Sequence, residues 1–121
     1  MLKTSELTGA ALDWAVAEAG GVPIYRRGVT MTRMDMDGQH YWQPTTDWAQ
    51  GGPIIERERI DLDTCGNEWR AVSETTFQSN KPRYYGPTPL IAAMRCYVAS
   101  KLGDEVDVPL DLLIYETNEE E

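Results

Sequence analysis

The sequence predicts an α+β fold: a single domain in which two main helices pack on a small, mostly antiparallel sheet. Two observations predict it. The segments 8–19 and 89–102 repeat apolar residues at helical spacing. Between them lie short runs rich in aromatic and β-branched residues, separated by glycine-containing turns that are typical of antiparallel strands. The chain's 121 residues suit one domain, which we assign to residues 1–115, with residues 116–121 as an acidic tail.

The first helix is predicted over Thr8–Ala19. Ala11, Trp14 and Ala15 lie along one stripe, and alanine has the highest helix propensity of all residues. Gly20-Gly21 follows, and glycine commonly ends a helix by adopting a left-handed backbone conformation. Trp14 is therefore predicted to lie in the core.

Strands are predicted between Gly28 and Gln43. The dipeptide Asp37-Gly38 indicates a hairpin turn. The aromatic-rich segment 39–43 then forms the returning strand, and Pro44 ends it.

The segment after Pro44 leaves two alternatives open. Thr46 or Asp47 would cap a short helix or a tight turn beginning near Trp48, and Gly51-Gly52-Pro53 is predicted to interrupt this element. From the proline onward a helical turn fits, because proline suits the first helical position. A strand also fits, because residues 54, 56, 58, 60 and 62 would share one face.

The next elements are a hairpin and a loop. Residues 60–62 and 69–72 are predicted to pair across the turn 64–67, which places Trp69 in the core. The polar segment Ser73–Tyr85 is predicted to be a loop, and loops of this length are often functional.

The second main helix has the strongest local signal. Thr88 caps it, Pro89 takes its first position, and it runs to about Leu102, where Gly103 ends it. Residues 110–115 are predicted to form a last strand or turn.

The charge excludes several classes of partner. With 20 acidic and 11 basic residues the formal net charge is −9, which repels nucleic-acid backbones and anionic membranes. No apolar run approaches the roughly 18 residues of a membrane span, and the N-terminus lacks a secretory-signal pattern. We therefore expect a cytoplasmic protein that binds neither nucleic acid directly nor a membrane.

The residues that usually carry metal or nucleophilic chemistry are sparse. Cys65, Cys96 and the sole histidine, His40, lack metal-ligand spacing, so no metal or cofactor is expected and both thiols are expected to be reduced. Nothing in the spacing supports a Cys96–His40 nucleophilic pair. Glu56 and Glu58 alternate with arginines, which is typical of an exposed, salt-bridged face. The chain is accordingly predicted not to be an enzyme.

A first candidate ligand-binding cluster surrounds the turn after the hairpin. Trp42 and Trp48 flank this turn, which also carries Thr46 and Asp47. Two aromatic rings beside a hydroxyl and a carboxylate would form a stacking pocket for a planar ligand such as a base. The alternative is an aromatic corner that supports the turn.

A second candidate cluster lies at the start of the last helix. Tyr85 and Thr88 present hydroxyl groups beside a helix N-terminus, which attracts anions. Arg83 and Arg95 would add a charged clamp for a phosphate or carboxylate. The alternatives are a simple helix cap and an Arg95–Glu56 salt bridge.

Three long segments also resemble a known family: Ser5–Ala17 (SELTGAALDWAVA), Thr46–Glu58 (TDWAQGGPIIERE) and Gly86–Pro109 (GPTPLIAAMRCYVASKLGDEVDVP). In this order they are similar to the bacteriophage NinX family, small accessory proteins of phages and prophages. The resemblance covers nearly the whole chain and is weakest over Arg26–Tyr41 and Ser73–Arg83. It implies a phage-encoded protein acting in the host cytoplasm, and it implies no catalytic residues.

A much shorter run, Trp42–Asp47, resembles in part the W-x-P-S/T-x-x-D segment of small phage proteins that sequester nucleotide signals of host immunity. Together these features predict a non-catalytic binding module for a small planar, nucleotide-like ligand, acting in counter-defence. A homo-oligomer is expected, because many sequestering proteins bind between subunits. The alternative is an acidic interaction module or DNA mimic that docks on a basic host protein.

Overall fold

The computed structural model describes residues 1–35, 38–73 and 82–113. This part of the chain forms an α+β domain, as predicted, with four α-helical segments and three small antiparallel sheets in place of two main helices and one sheet. The elements are β1 (Leu2–Lys3), a 3₁₀ turn (Thr4–Glu6), α1 (Gly9–Gly20), β2 (Tyr25–Arg27), β3 (Thr30–Asp35), β4 (Gly38–Tyr41), α2 (Trp48–Glu58), β5 (Ile60–Cys65), β6 (Glu68–Ser73), β7 (Tyr84–Gly86), α3 (Pro89–Leu102) and β8 (Glu105–Val106). The sheets have the strand orders β1-β8, β2-β3-β4 and β5-β6-β7.

Helices α1 and α3 confirm the two helices predicted from apolar periodicity. Gly21 caps the C-terminus of α1, and its φ of 64° is the left-handed conformation that glycine tolerates better than other residues. Thr88 caps the N-terminus of α3, and its Oγ1 accepts a hydrogen bond of 3.1 Å from the Ile91 amide. The two helices pack together and form the centre of the core, and their fully buried side chains include Leu12, Val16, Met94 and Val98.

Helix α2 shows that the predicted interruption at Gly51-Gly52-Pro53 is wrong. The Asp47 carboxylate accepts a hydrogen bond of 2.9 Å from the Ala49 amide, and the helix then continues through the proline to its end. A Cβ atom at Gly51 would lie 2.5 Å from the Pro44 carbonyl oxygen. The glycine therefore allows α2 to pack closely on the preceding loop. The helix also excludes the alternative of a strand over residues 54–58.

Strands β3 and β4 pair as the first predicted hairpin requires. Residues 36–37, which include part of the predicted turn, lie outside the described residues. Arg33 and His40 are cross-strand partners, and Met31, two residues before Arg33, is buried. Because side chains alternate along a strand, these three residues share the inner face. The outer face carries Tyr25 and Tyr41, which are 72% and 65% exposed.

The sheet β5-β6-β7 confirms the second hairpin with a tighter turn than predicted. Cys65 pairs with Glu68, which leaves a two-residue turn, and Gly66 within it has a φ of 61°. Strand β7 pairs antiparallel with β6 where the sequence predicted a loop. Residues 74–81 of that predicted loop lie outside the described residues.

The remaining predictions concern the tryptophans and the C-terminus. Trp14 and Trp69 are partly buried against the core. Residues 110–113 are helical, so the predicted last strand or turn is replaced by a helical segment. The predicted acidic tail lies outside the described residues.

Candidate functional site

An open cleft of about 910 Å³ lies between the end of α1, the inner face of the β2-β3-β4 sheet, and helices α2 and α3. Three basic residues line it, Arg33, Arg57 and Lys101, beside two acidic residues, Asp47 and Glu58. The whole chain, by contrast, has 20 acidic and 11 basic residues. The balance of charge in the cleft is thus reversed relative to the protein as a whole.

Arg33 lies over a buried tryptophan. Trp42 is 2% exposed, and its indole N–H donates a hydrogen bond of 2.8 Å to the Asp13 carbonyl oxygen, which fixes the ring. The guanidinium carbon of Arg33 lies 5.8 Å from the centroid of this ring, within the range of a cation–π contact. The buried Trp42 ring thus supports one face of the Arg33 guanidinium. Arg33 belongs to the wall of the cleft that the β2-β3-β4 sheet forms.

Arg57 has a similar arrangement on the helical wall. Its guanidinium carbon lies 5.9 Å from the ring centroid of Tyr97, which is 2% exposed. One guanidinium N–H also donates to the Tyr97 hydroxyl at 3.5 Å. The two cation–π contacts found in the described part of the chain therefore both belong to this cleft.

Glu58 joins two of the basic residues. Its carboxylate accepts a hydrogen bond of 3.1 Å from Arg57 Nε and lies 3.2 Å from Lys101 Nζ. Burial alone would raise the pKa of Glu58, but the hydrogen bonds and positive charges of Arg57 and Lys101 outweigh burial and lower it. Glu58 is therefore an anion at neutral pH and holds both cations near one point.

The first predicted cluster is not assembled as a pair of stacking rings. Trp42 is buried, whereas Trp48 is 54% exposed. Thr46 is exposed, and the Asp47 carboxylate caps α2 while also lining the cleft. The alternative of an aromatic corner therefore describes Trp42, because its edge bonds to Asp13 and its ring offers a ligand almost no surface.

The second predicted cluster is also organised differently. Arg95 donates from Nε to the Leu7 carbonyl oxygen at 2.8 Å and from Nη1 to the Tyr85 carbonyl oxygen at 2.6 Å. Burial lowers the pKa of Arg95. These two main-chain partners replace the predicted salt bridge with Glu56, and they tie α3 to both the start of the chain and β7.

The other members of that cluster have different surroundings from those of Arg95. The Thr88 hydroxyl accepts the capping hydrogen bond of α3, and the Tyr85 side chain is 37% exposed. Arg83 lines a separate depression of about 220 Å³ together with Lys3, Asp104 and Glu105. This depression holds two basic and two acidic residues, so it lacks the excess of positive charge that the cleft has.

The cleft residues Arg33, His40, Arg57, Tyr97 and Lys101 were missed by sequence reasoning. Arg33 lies in a strand without clean alternation, and Arg57 lies in a Glu/Arg run typical of a solvated face. Their common feature is a buried ring beneath an arginine, which arises only when distant segments pack together. Among the residues that line the cleft, Trp42 and Asp47 were identified as candidates from the sequence.

The two cysteines differ in their exposure to solvent. Cys65 is exposed and Cys96 is buried, and both are free thiols. Burial raises the pKa of Cys96 to about 12, so its thiol stays protonated at neutral pH. Over the described ranges, no group of three or more metal-ligating side chains is found. No helix within those ranges has the length and apolarity needed to cross a membrane.

These observations define a small α+β protein in which an acidic chain surrounds a cleft lined by arginine and lysine. The family model described as Bacteriophage P22, NinX matches residues 3–101. The chain therefore belongs to the NinX family, as its three segments predicted, and is a bacteriophage accessory protein. No curated protein matches the chain.

Proposed function

We propose that this phage protein is a non-catalytic binding module that holds a small anionic, nucleotide-like ligand in the cleft. One observation carries the proposal: Arg33 and Arg57, each supported by a buried aromatic ring, line the same cavity. Arginine is the side chain best suited to phosphate recognition, because its planar fork of donors matches the phosphate oxygens.

The charge distribution supports an anionic ligand. A protein with a net charge of −9 repels anions over most of its surface. Binding an anion therefore requires a local concentration of positive charge, and the cleft supplies three basic side chains. Of its two carboxylates, Asp47 caps α2 and Glu58 contacts both Arg57 and Lys101.

The arginine geometry also supports a ligand that contains a ring. A guanidinium plane that lies over an aromatic ring has a second face, and bases stack on such faces. The cleft volume of about 910 Å³ lies within the range of about 300–1,000 Å³ that is typical of small-molecule sites.

Retention of such a ligand without chemical change would withdraw it from host proteins that respond to it. This is the action expected of a counter-defence sequestering protein in the host cytoplasm. A homo-oligomer remains our expectation for its assembly.

The experiment is native mass spectrometry of the protein purified from phage-infected host cells. The wild type is compared with the double variant Arg33→Gln/Arg57→Gln. Arg27→Gln, an exposed arginine outside the cleft, is the matched control. We expect an added mass of the size of a nucleotide on the wild type and on the control, and its loss from the double variant.

Two outcomes would overturn the proposal. An added mass that the double variant retains would place the ligand elsewhere. A bare wild-type protein, or one that carries a host protein in place of a small molecule, would favour the alternative of an acidic interaction module.

A further inference from the structure

The positive charge in the cleft is divided between two separate walls. Arg33 and His40 are cross-strand partners on the sheet β2-β3-β4. Arg57 and Lys101 project from helices α2 and α3 and share the carboxylate of Glu58. All four side chains line the one cavity. A ligand in the cleft therefore meets an arginine on each of two structurally independent walls.

Each arginine is held in place without being removed from solvent. The rings beneath them, Trp42 and Tyr97, are each 2% exposed and therefore fixed by the core. The Arg57 and Lys101 side chains are 59% and 42% exposed, although both contact Glu58. Such pre-positioned cations lose little conformational entropy when they bind an anion.

The helical wall shows how a carboxylate is already accommodated. Glu58 lies between Arg57 and Lys101 at 3.1 and 3.2 Å, so these two donors are positioned around one anionic group. Arg57 is a fork with further donors beyond the one that Glu58 uses. A second anion can therefore approach the exposed side of the same pair.

The size of the cavity fits a ligand that reaches both walls. Its volume of about 910 Å³ is near the upper end of the range typical of ligand pockets, about 300–1,000 Å³. A molecule with one anionic group would contact one wall and leave the arginine of the other wall facing water. A molecule with two anionic groups and rings between them would use both.

We propose, building on the proposed function, that the ligand is a bis-anionic nucleotide. One phosphate lies at Arg33 and the other at the Arg57–Lys101 pair. The ligand class is a dinucleotide, linear or cyclic, in preference to a mononucleotide.

Isothermal titration calorimetry tests this inference with four probes: AMP, GMP, cyclic di-AMP and cyclic di-GMP. The proteins are the wild type, Arg33→Gln, Arg57→Gln and the control Arg27→Gln. Thermal unfolding of each variant verifies that it is folded. We expect at least one cyclic dinucleotide to bind the wild type about tenfold or more tightly than its mononucleotide.

The variants distinguish one binding wall from two. Each of the two cleft substitutions should weaken binding of the dinucleotide about tenfold. Only one of them should weaken binding of the mononucleotide. The Arg27→Gln control should bind like the wild type.

Two results would overturn the two-wall proposal while leaving the proposed function intact. One is equal affinity for the mononucleotide and its dinucleotide. The other is a dinucleotide affinity that falls on substitution of only one of the two arginines. If none of the four probes binds, the two-wall proposal for a cyclic purine dinucleotide is overturned, and the native mass spectrum decides separately whether the cleft holds a ligand at all.

Discussion

Arg95 and Arg57 lie on adjacent packed helices, yet their surroundings give them different roles. Arg95 is half-buried, and two of its N–H groups bond to the carbonyl oxygens of Leu7 and Tyr85. Arg57 is exposed, lies over the Tyr97 ring and shares Glu58 with a lysine. The first arginine joins segments of the fold, and the second lines an open cleft.

This difference shows how an arginine at a predicted anion site can be a structural residue. The Leu7 and Tyr85 carbonyl oxygens accept charge-assisted hydrogen bonds from Arg95, and such bonds stabilise the folded state more than neutral hydrogen bonds do. An aromatic ring uses the face of a guanidinium and leaves its N–H groups directed outward. The partners of each arginine, and not its position near a helix end, decide whether it can bind a ligand.

The largest expected effect separates Trp42 from Trp48. Truncation of Trp42 to alanine should lower the free energy of unfolding by about 3–5 kcal/mol, because it removes a buried ring and leaves a cavity. Trp48→Ala should change it by about 0.5 kcal/mol, because Trp48 is 54% exposed. Urea denaturation measures both. Equal losses would contradict the assignment of Trp42 to the core.

The next effect concerns Arg95. Arg95→Ala should lower the free energy of unfolding by about 2–3 kcal/mol, because the Leu7 and Tyr85 carbonyl oxygens lose charge-assisted donors. The matched variant Arg83→Ala, at an exposed position, should change it by about 0.5 kcal/mol or less. A variant of Arg95 with wild-type stability and no ligand binding would reverse our comparison of the two arginines.

The arginines of the cleft should show the opposite pattern. Arg33→Gln and Arg57→Gln should each lower the free energy of unfolding by only about 0.5–1 kcal/mol, the value of an exposed cation–π contact or ion pair. Their effect should fall on ligand affinity instead. Urea denaturation checks the stability, and a loss as large as that of Arg95→Ala would make them structural residues.

The smallest effect depends on pH and involves Glu58. Its pKa in the folded protein lies below the ordinary 4.5, so its ion pairs stabilise the fold above that pH. This contribution is lost as the pH falls through the lowered pKa. Glu58→Gln should be less stable than the wild type by about 1 kcal/mol near neutral pH, and the difference should vanish in acid.

Denaturation curves collected from about pH 7 down to about pH 2 measure this convergence. The control is Glu56→Gln, since Glu56 is exposed and two residues away. A stability difference for Glu58→Gln that persists unchanged in acid would show that its effect does not come from charge.

The fold could be predicted where local signals agree with the tertiary structure. Thr88 and Pro89 start α3, and Gly21 ends α1 with a left-handed φ of 64°. The predicted helix interruption was wrong at Gly51. This glycine is needed because a Cβ atom there would collide with the Pro44 carbonyl oxygen. Glycine occurs both where a helix is interrupted and where a helix packs closely on another segment. The sequence alone does not distinguish these two reasons for a glycine.

The candidate site was predicted less well, for a similar reason. Trp42 was identified as important, but its role as the ring beneath Arg33 depends on the fold of the hairpin that carries Arg33. Tyr97 and Arg57 are 40 residues apart in the chain, and no periodic pattern links them. Capping by Asp47 and Thr88 was predictable because both are local interactions.

The most direct test of the central claim follows the arginine Nε–H signals by nitrogen–proton correlation NMR while cyclic di-AMP and, in a second titration, cyclic di-GMP are added. A single spectrum then compares the cleft with the start of α3. Our account predicts that the signals of Arg33 and Arg57 shift with added nucleotide, while the Arg95 signal stays fixed on its carbonyl partners. A shift of the Arg95 signal with the Arg33 and Arg57 signals unchanged, or no shift of any of the three signals with either nucleotide, would contradict it.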